Sequence, residues 1–293
     1  IHSTFYSVAY CPWRGTLITT TLLYEVSLMK KNIVGGEILG ESKSVDKNSD
    51  IVHKTNTEFW DTIGSGILGT TALPSWNSFL PPENKLNLLG DLTGKSVLEI
   101  GCGNGHSLEY AAKHGATDLW GLDISANQIA KANEYLRFKG LSPHLICSPM
   151  EKECCLPTDY FDVVYSVYGI GWSTDLNITF KLINSYLKDR GVFVFSWSHP
   201  IHKCVSIENG QLIFSNSYFN EKWYCAEMGN KEIILSNRML STYINELVRN
   251  GFVIEQLIEE TDNNKAIAAN SDFGRKALML PTAFVIRSQK RKD

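Results

Sequence analysis

Glu99, Gly101, Gly103 and Gly105 stand at every second position in LEIGCGNGHS, where an apolar run gives way to a helical one. A glycine-rich turn between a strand and a helix lets a ligand lie against bare backbone, and a nucleotide-like molecule is the usual occupant. A second acid, Asp123, closes the next apolar run. Each acid also has a plain structural reading: Glu99 as a cap for a nearby amide, Asp123 as a starter for the helix that follows.

The elements that would position these residues alternate regularly. Strands are predicted over 95–101, 118–125, 143–148, 161–167 and 191–197, with helices over 105–114, after Ser125 as N-cap up to Gly140, and over 174–188. Strands alternating with helices imply a parallel sheet covered on both faces. Asn209-Gly210 between two β-like runs marks a hairpin, so 198–235 is predicted to be an insertion after the fifth strand. A helix capped by Ser236 and ended by Asn250-Gly251 follows. FVIEQLIEE and TAFVIRS (282–288) then close the chain as two strands joined by a loop and paired antiparallel at one edge. The fold class expected is a Rossmann-like, doubly wound α/β fold. Its mostly parallel seven-stranded sheet has the last strand antiparallel, and helices lie on both faces.

A dinucleotide fingerprint, GxGxxG, needs a third glycine where this chain has His106. Instead, VLEIGCGNG (97–105) followed by the acid of GLDIS (121–125) resembles the first two motifs of class I S-adenosylmethionine-dependent methyltransferases. The resemblance extends over roughly residues 90 to 290, and the later NRMLSTYINELVRNGFVIE is similar to bacterial small-molecule members. It implies S-adenosylmethionine as cofactor and S-adenosylhomocysteine as product. It places Gly101, Gly103 and Gly105 against the methionine moiety and Asp123 on the ribose hydroxyls, with Glu99, Cys102, Ile124 and Ser166 beside them. The cofactor's ammonium and sulfonium charges favour nearby carboxylates. Where relatives present an acid to adenine, CSPME (147–151) has Pro149, so the amide of Met150 and oxygens of Ser148 or Glu151 are the candidates for that end.

On the substrate side, SVYGIGWSTD (166–175) offers Tyr168, Ile170 and Trp172 as an apolar wall, with Gly169 and Gly171 suiting a loop close to a ligand. The alternative is that these aromatics pack under the next helix. Methyl transfer is an in-line displacement that depends on positioning, and a hydroxyl or amine acceptor gains from a base titrating near neutrality. His199 in SWSHPIH is the candidate base, with His202 behind it; the alternative is a structural histidine before a proline turn. Tyr218, Trp223, Tyr224, Arg238 and Tyr243 could form a lid over a small, partly apolar acceptor.

Formal charge is −3, so the chain lacks the basic footprint of a nucleic-acid binder. Neither an Asn/Asp-Pro-Pro-Tyr/Phe tetrad nor a Pro-Cys nucleophile is present. No CxxC pair offers metal-ligand spacing, and an odd count of seven cysteines fits free thiols in a reducing cytoplasm. No metal site and no membrane span are expected. Residues 1–28 read as a leader ahead of the bacterial-looking start Met29-Lys30-Lys31, and residues 35–50 read as a flexible tail, so one domain is expected over 51–293. The leading alternatives are a cofactor-binding protein without turnover and a nucleic-acid methyltransferase. A nicotinamide oxidoreductase is disfavoured by His106.

Overall fold

A computed structural model describes residues 43–62, 72–77, 79–228 and 231–292. The leader reading of residues 1–28 lies outside the described residues, as do Gly64 and Gly66, where the sequence pattern predicts that the first helix loses definition. Regular structure begins earlier than Ile51. A short strand β1 (Lys43–Ser44) pairs with a strand of the insertion, and helix α1 runs over Ser49–Thr62.

The chain continues through α2 (Glu83–Leu86), β2 (Ser96–Ile100), α3 (His106–Lys113), β3 (Asp118–Asp123), α4 (Ala126–Phe138), β4 (His144–Cys147) and β5 (Phe161–Ser166). Helix α5 (Leu176–Tyr186), capped by the Asp175 carboxylate, runs straight into β6 (Leu187–Ser198). That strand starts four residues before the expected Gly191 and shifts register against β5 between Phe161 and Val163. The insertion holds the hairpin β7 (Val205–Glu208) and β8 (Gln211–Phe214), then β9 (Trp223–Met228) and β10 (Lys231–Ser236). Asn209 and Gly210 both take positive φ, as a two-residue hairpin turn requires. After α6 (Leu240–Arg249) come β11 (Phe252–Ile258), α7 (Asn263–Ala268), α8 (Asp272–Ala277) and β12 (Ala283–Lys290). The expected loop between the last two strands thus contains two short helices. The Asp262 and Ser271 side chains act as their N-caps.

The main sheet has seven strands in the order β11-β12-β6-β5-β2-β3-β4. The neighbours from β6 to β4 pair parallel, whereas β12 is antiparallel to both β6 and β11. The chain winds outward from β2 to β4 and returns at β5, beside β2. Order therefore reverses between β2 and β5, and the carboxyl ends of those strands open a crevice.

Alternation along the strands divides the core into two layers. Leu98, Ile100 and Val164 face one cluster, with Phe180, Phe193, Phe195, Tyr243 and Phe284. Val97, Val163 and Tyr165 face the other, with Leu108, Leu119, Leu136 and Trp76. This second layer is closed by a segment whose structure the sequence concealed. Glu83 is buried and accepts hydrogen bonds from Trp76 Nε1 and from the amides of Leu88 and Leu89, which pins the segment around α2 against the sheet.

Candidate active site

The spacing of the glycines has a backbone cause. Gly101, Gly103 and Gly105 all take positive φ (72°, 49° and 77°), so the chain leaves β2 in a series of left-handed steps that side chains disfavour. The amides of Gly101 and Cys102 both donate to the Leu122 carbonyl, at 2.7 and 3.0 Å, folding the loop back on β3. Asp123 secures it: Oδ2 accepts from the Gly103 amide and Oδ1 from the Ser125 amide, both at 2.9 Å. The helix-starting reading of Asp123 is correct as far as it goes, but the same carboxylate also holds the glycine loop.

Around this loop lies a cleft, open at its mouth. Of the residues expected at a cofactor, Glu99, Gly101, Cys102, Gly103, Asp123, Ile124, Met150 and Glu151 line it. Gly105 and Ser166 do not. A Cβ on Gly105 would come within 2.8 Å of Leu136 Cδ1, so this glycine lets α3 pack on α4. Ser166 is fully buried beneath the loop, its hydroxyl donating to the Ile100 carbonyl at 2.7 Å.

Glu99 lies at the centre of the cleft. It is buried, and desolvation pushes its pKa well above the usual carboxylate range, against the opposing hydrogen bond from Ser107; the nearby Asp123 charge pushes the same way. Desolvation raises Asp123 as well. Three further lining residues carry buried polar atoms without a hydrogen-bond partner: Asn104 Oδ1, Gln128 Oε1 and His106 Nδ1. Native interiors rarely leave such atoms unpaired, so their convergence on one cleft marks a place where a polar ligand completes the bonding. Two carboxylates with raised pKa suit a cationic ligand in particular. An ammonium group, a sulfonium and a ribose diol match this donor and acceptor set, so the residues present fit S-adenosylmethionine.

The roof of the cleft comes from α1. His53, Asn56 and Trp60 line the cleft from above, and no local motif in the sequence marks them. The helix is tied down at both ends. His53 Nε2 lies 3.3 Å from Glu151 Oε2, while Asp61 accepts from the Ser125 hydroxyl and the Asn127 amide at the start of α4. Glu151, turned toward the roof in this way, also accepts the Thr174 amide, so its carboxylate fastens α1 and the loop after β5 to one another. Desolvation opposes its ionisation, but the hydrogen bonds from His53 and Thr174 outweigh that and lower its pKa. Ser148, Pro149 and Met150 complete the floor. At Pro149 the wall is apolar.

The expected substrate-side residues separate into two groups. Tyr168 and Trp172 line the cofactor-sized cleft. Trp172 packs edge-on against Trp60 at 5.2 Å between ring centroids, and Tyr168, at a positive φ of 58°, bonds through its hydroxyl to Ser198. Ile170 is instead fully buried in the core. Gly171 serves protein packing rather than a ligand: a Cβ there would lie 1.6 Å from the Trp197 ring. Gly169 does line the cleft, but its Cβ would also meet the Ser166 hydroxyl at 2.5 Å. Tyr218, Trp223 and Arg238 line a second cleft under the insertion. The Tyr218 hydroxyl accepts from the Leu240 amide and Glu221 accepts from the Met239 amide, so these residues cap α6. Ser236, the expected cap, is the last residue of β10.

His199 lines neither cleft. Its Nδ1 accepts from the Ile201 amide at 3.1 Å, capping the 3-10 turn Pro200–Cys204, and its Nε2 lies 2.6 Å from Glu259 Oε1. Burial lowers its pKa although Glu259 pulls the other way. The structural reading of this histidine is the one its surroundings match. Among the described residues no group of three or more His, Cys, Asp or Glu side chains is arranged to hold a metal, and no helix is long and apolar enough to cross a membrane.

A family model of the methyltransferase domain matches residues 78–257, more than half of the chain. A protein of Haemophilus influenzae is 28% identical over 198 residues, covering 63% of this chain and 78% of that one. A ubiquinone biosynthesis O-methyltransferase of Bradyrhizobium diazoefficiens is 28% identical over 49% of this chain, which spans 58% of that enzyme. The crystal structure of an S-adenosylmethionine-dependent methyltransferase from Mesorhizobium loti superposes with a TM-score of 0.59 at 25% identity, over 70% of this chain and 95% of that one. With the glycine loop, the second-strand acid and the strand order in agreement, the chain belongs to the methyltransferase-domain family, as a class I S-adenosylmethionine-dependent methyltransferase.

Proposed function

We propose that this protein seats S-adenosylmethionine in the cleft between β2 and β5 and transfers its methyl group to a small-molecule acceptor. The observation that carries the cofactor assignment is the convergence of two raised-pKa carboxylates, Glu99 and Asp123, with the unpartnered Asn104 Oδ1 and Gln128 Oε1 on one cleft. Glu99 neutralises a cationic amino group, and Asp123, already anchored by two amides, accepts from ribose hydroxyls with its remaining lone pairs. Trp60, Met150 and Pro149 provide apolar surface for the adenine. The bound cofactor supplies an electrophilic methyl carbon on a sulfonium.

The protein's contribution to the transfer is positional. Trp172 and Tyr168 form the wall past which an acceptor approaches, and α1 with its aromatic residues keeps water from the site. His199 has no part in this proposal, because it reaches neither cleft. A small acceptor is supported by the concave shape of the cleft and by the relative named for ubiquinone biosynthesis. The net charge of −3 weighs against a nucleic acid. Six cysteines are free among the described residues, which supports a reducing, cytoplasmic setting.

Trp60 and Trp172 supply the test. Titration with S-adenosylhomocysteine, followed by intrinsic fluorescence, is expected to give a saturable change that is much reduced in Trp60→Phe/Trp172→Phe. A flat titration accompanied by a saturable response to NADH would refute the cofactor assignment.

A further inference from the structure

The second cleft, under the insertion, has a charge character opposite to the first. Lys203, Lys222, Arg238 and Lys276 lie in its wall, against a single lining carboxylate, Asp272, which Arg275 already pairs. Such a concentration of cations runs against a chain whose formal charge is −3. Surface lysines scattered on a solvated face would carry no meaning, but two of these are drawn inward. Lys276 is 7% exposed, with Nζ donating to the His202 carbonyl at 3.1 Å, and Lys203 donates to the Tyr224 hydroxyl at 2.9 Å. Arg238 directs its guanidinium to the carbonyls of Gly171 and Ser173 and lies over the Trp223 ring.

A second, independent observation points to a ligand. His202 is 4% exposed, lines this cleft, and has no hydrogen-bond partner on either ring nitrogen. Burial, followed by the neighbouring charges of Lys203, Lys276 and His199, holds the His202 pKa well below its usual value. The neighbouring positive charges add to burial in disfavouring one more cation here, a condition an incoming anion relieves.

We propose that the cleft beneath the insertion binds a small anionic molecule bearing a carboxylate or phosphate, gripped by Lys203, Lys276 and Arg238, with Lys222 at its mouth and the His202 ring as a further donor. The occupant is a compact molecule rather than a nucleic-acid strand, because the cations converge on one concavity instead of forming a stripe. This site is separate from the cofactor cleft and stands whether or not the cofactor assignment holds.

The test is calorimetric titration of the full chain at low ionic strength with inorganic phosphate and, separately, with succinate. The wild type is compared with Lys203→Met and with Lys222→Glu, whose exposed position leaves folding intact. Saturable binding of at least one anion is expected, weakened about tenfold or more by each variant and by added salt. Affinity for S-adenosylhomocysteine should stay unchanged in both variants, which checks their fold. Absence of binding for both anions, or binding that both variants leave untouched, overturns the proposal. Phosphate binding without S-adenosylhomocysteine binding would instead remove the cofactor assignment and leave this site standing.

Discussion

Asp123 Oδ2 accepts a hydrogen bond from the Gly103 amide at 2.9 Å, joining the end of the second sheet strand in sequence to the loop that follows the first. One carboxylate therefore shapes the loop and, in the proposed cofactor complex, also holds the ribose. Asp123→Ala should lose charge-assisted bonds to the ligand worth about 1.5–3 kcal/mol, a weakening of roughly ten- to hundredfold in S-adenosylhomocysteine affinity. It should also lower stability by about 1 kcal/mol, because two backbone amides lose their acceptor. Calorimetry and chemical denaturation measure the two effects separately. An unchanged dissociation constant would take Asp123 out of the ligand's contacts.

Affinity should depend on pH through Glu99. Its pKa in the free protein is raised by burial, which favours the neutral carboxyl. A cationic ligand favours the carboxylate, and binding therefore releases a proton. Affinity should rise with pH up to the raised pKa and level off above it. Glu99→Gln should bind more weakly and flatten that dependence. Proton release is read from binding enthalpies in buffers of different ionisation enthalpy.

Two glycine substitutions should have opposite consequences. Gly171→Ala would put a methyl group 1.6 Å from Trp197. It should destabilise the fold by about 1–3 kcal/mol. A Cβ on Gly103 meets nothing within 4 Å, although its φ of 49° disfavours a side chain. Gly103→Ala should cost only about 1 kcal/mol in stability while its methyl intrudes on the ligand's space. Thermal unfolding and ligand titration of both variants would show whether loss of stability and loss of binding separate in this way.

His199→Ala should keep cofactor affinity within about twofold of wild type and lose about 0.5–2 kcal/mol of stability, the usual worth of a side-chain cap. If the variant instead unfolded normally and lost methyl transfer once an acceptor is known, its placement outside both clefts would be misleading.

The sheet and the glycine loop were legible because each rests on local rules. Period and punctuation mark the strands, and the second-strand acid and the glycines sit beside the turns they build. The roof was not legible. His53, Asn56 and Trp60 lie on a helix far from the loop in sequence, and tertiary ties, among them those from His53 to Glu151 and from Asp61 to Ser125, bring α1 over the cleft. His199 misled for a related reason. Its neighbours in sequence suggest an exposed turn at a strand end, whereas Glu259, sixty residues away in sequence (199 to 259), meets its free face. Tyr218 looked like part of a lid over a substrate, yet a helix N-terminus leaves amides unpaired, and at the start of α6 the Met239 and Leu240 amides find acceptors in Glu221 and Tyr218.

The most direct test of the central claim is isothermal titration of the full chain with S-adenosylhomocysteine, with NADH as the control ligand. Saturable binding of the first alone, at a one-to-one ratio, is the predicted result. Binding of NADH, or of neither ligand, would contradict it.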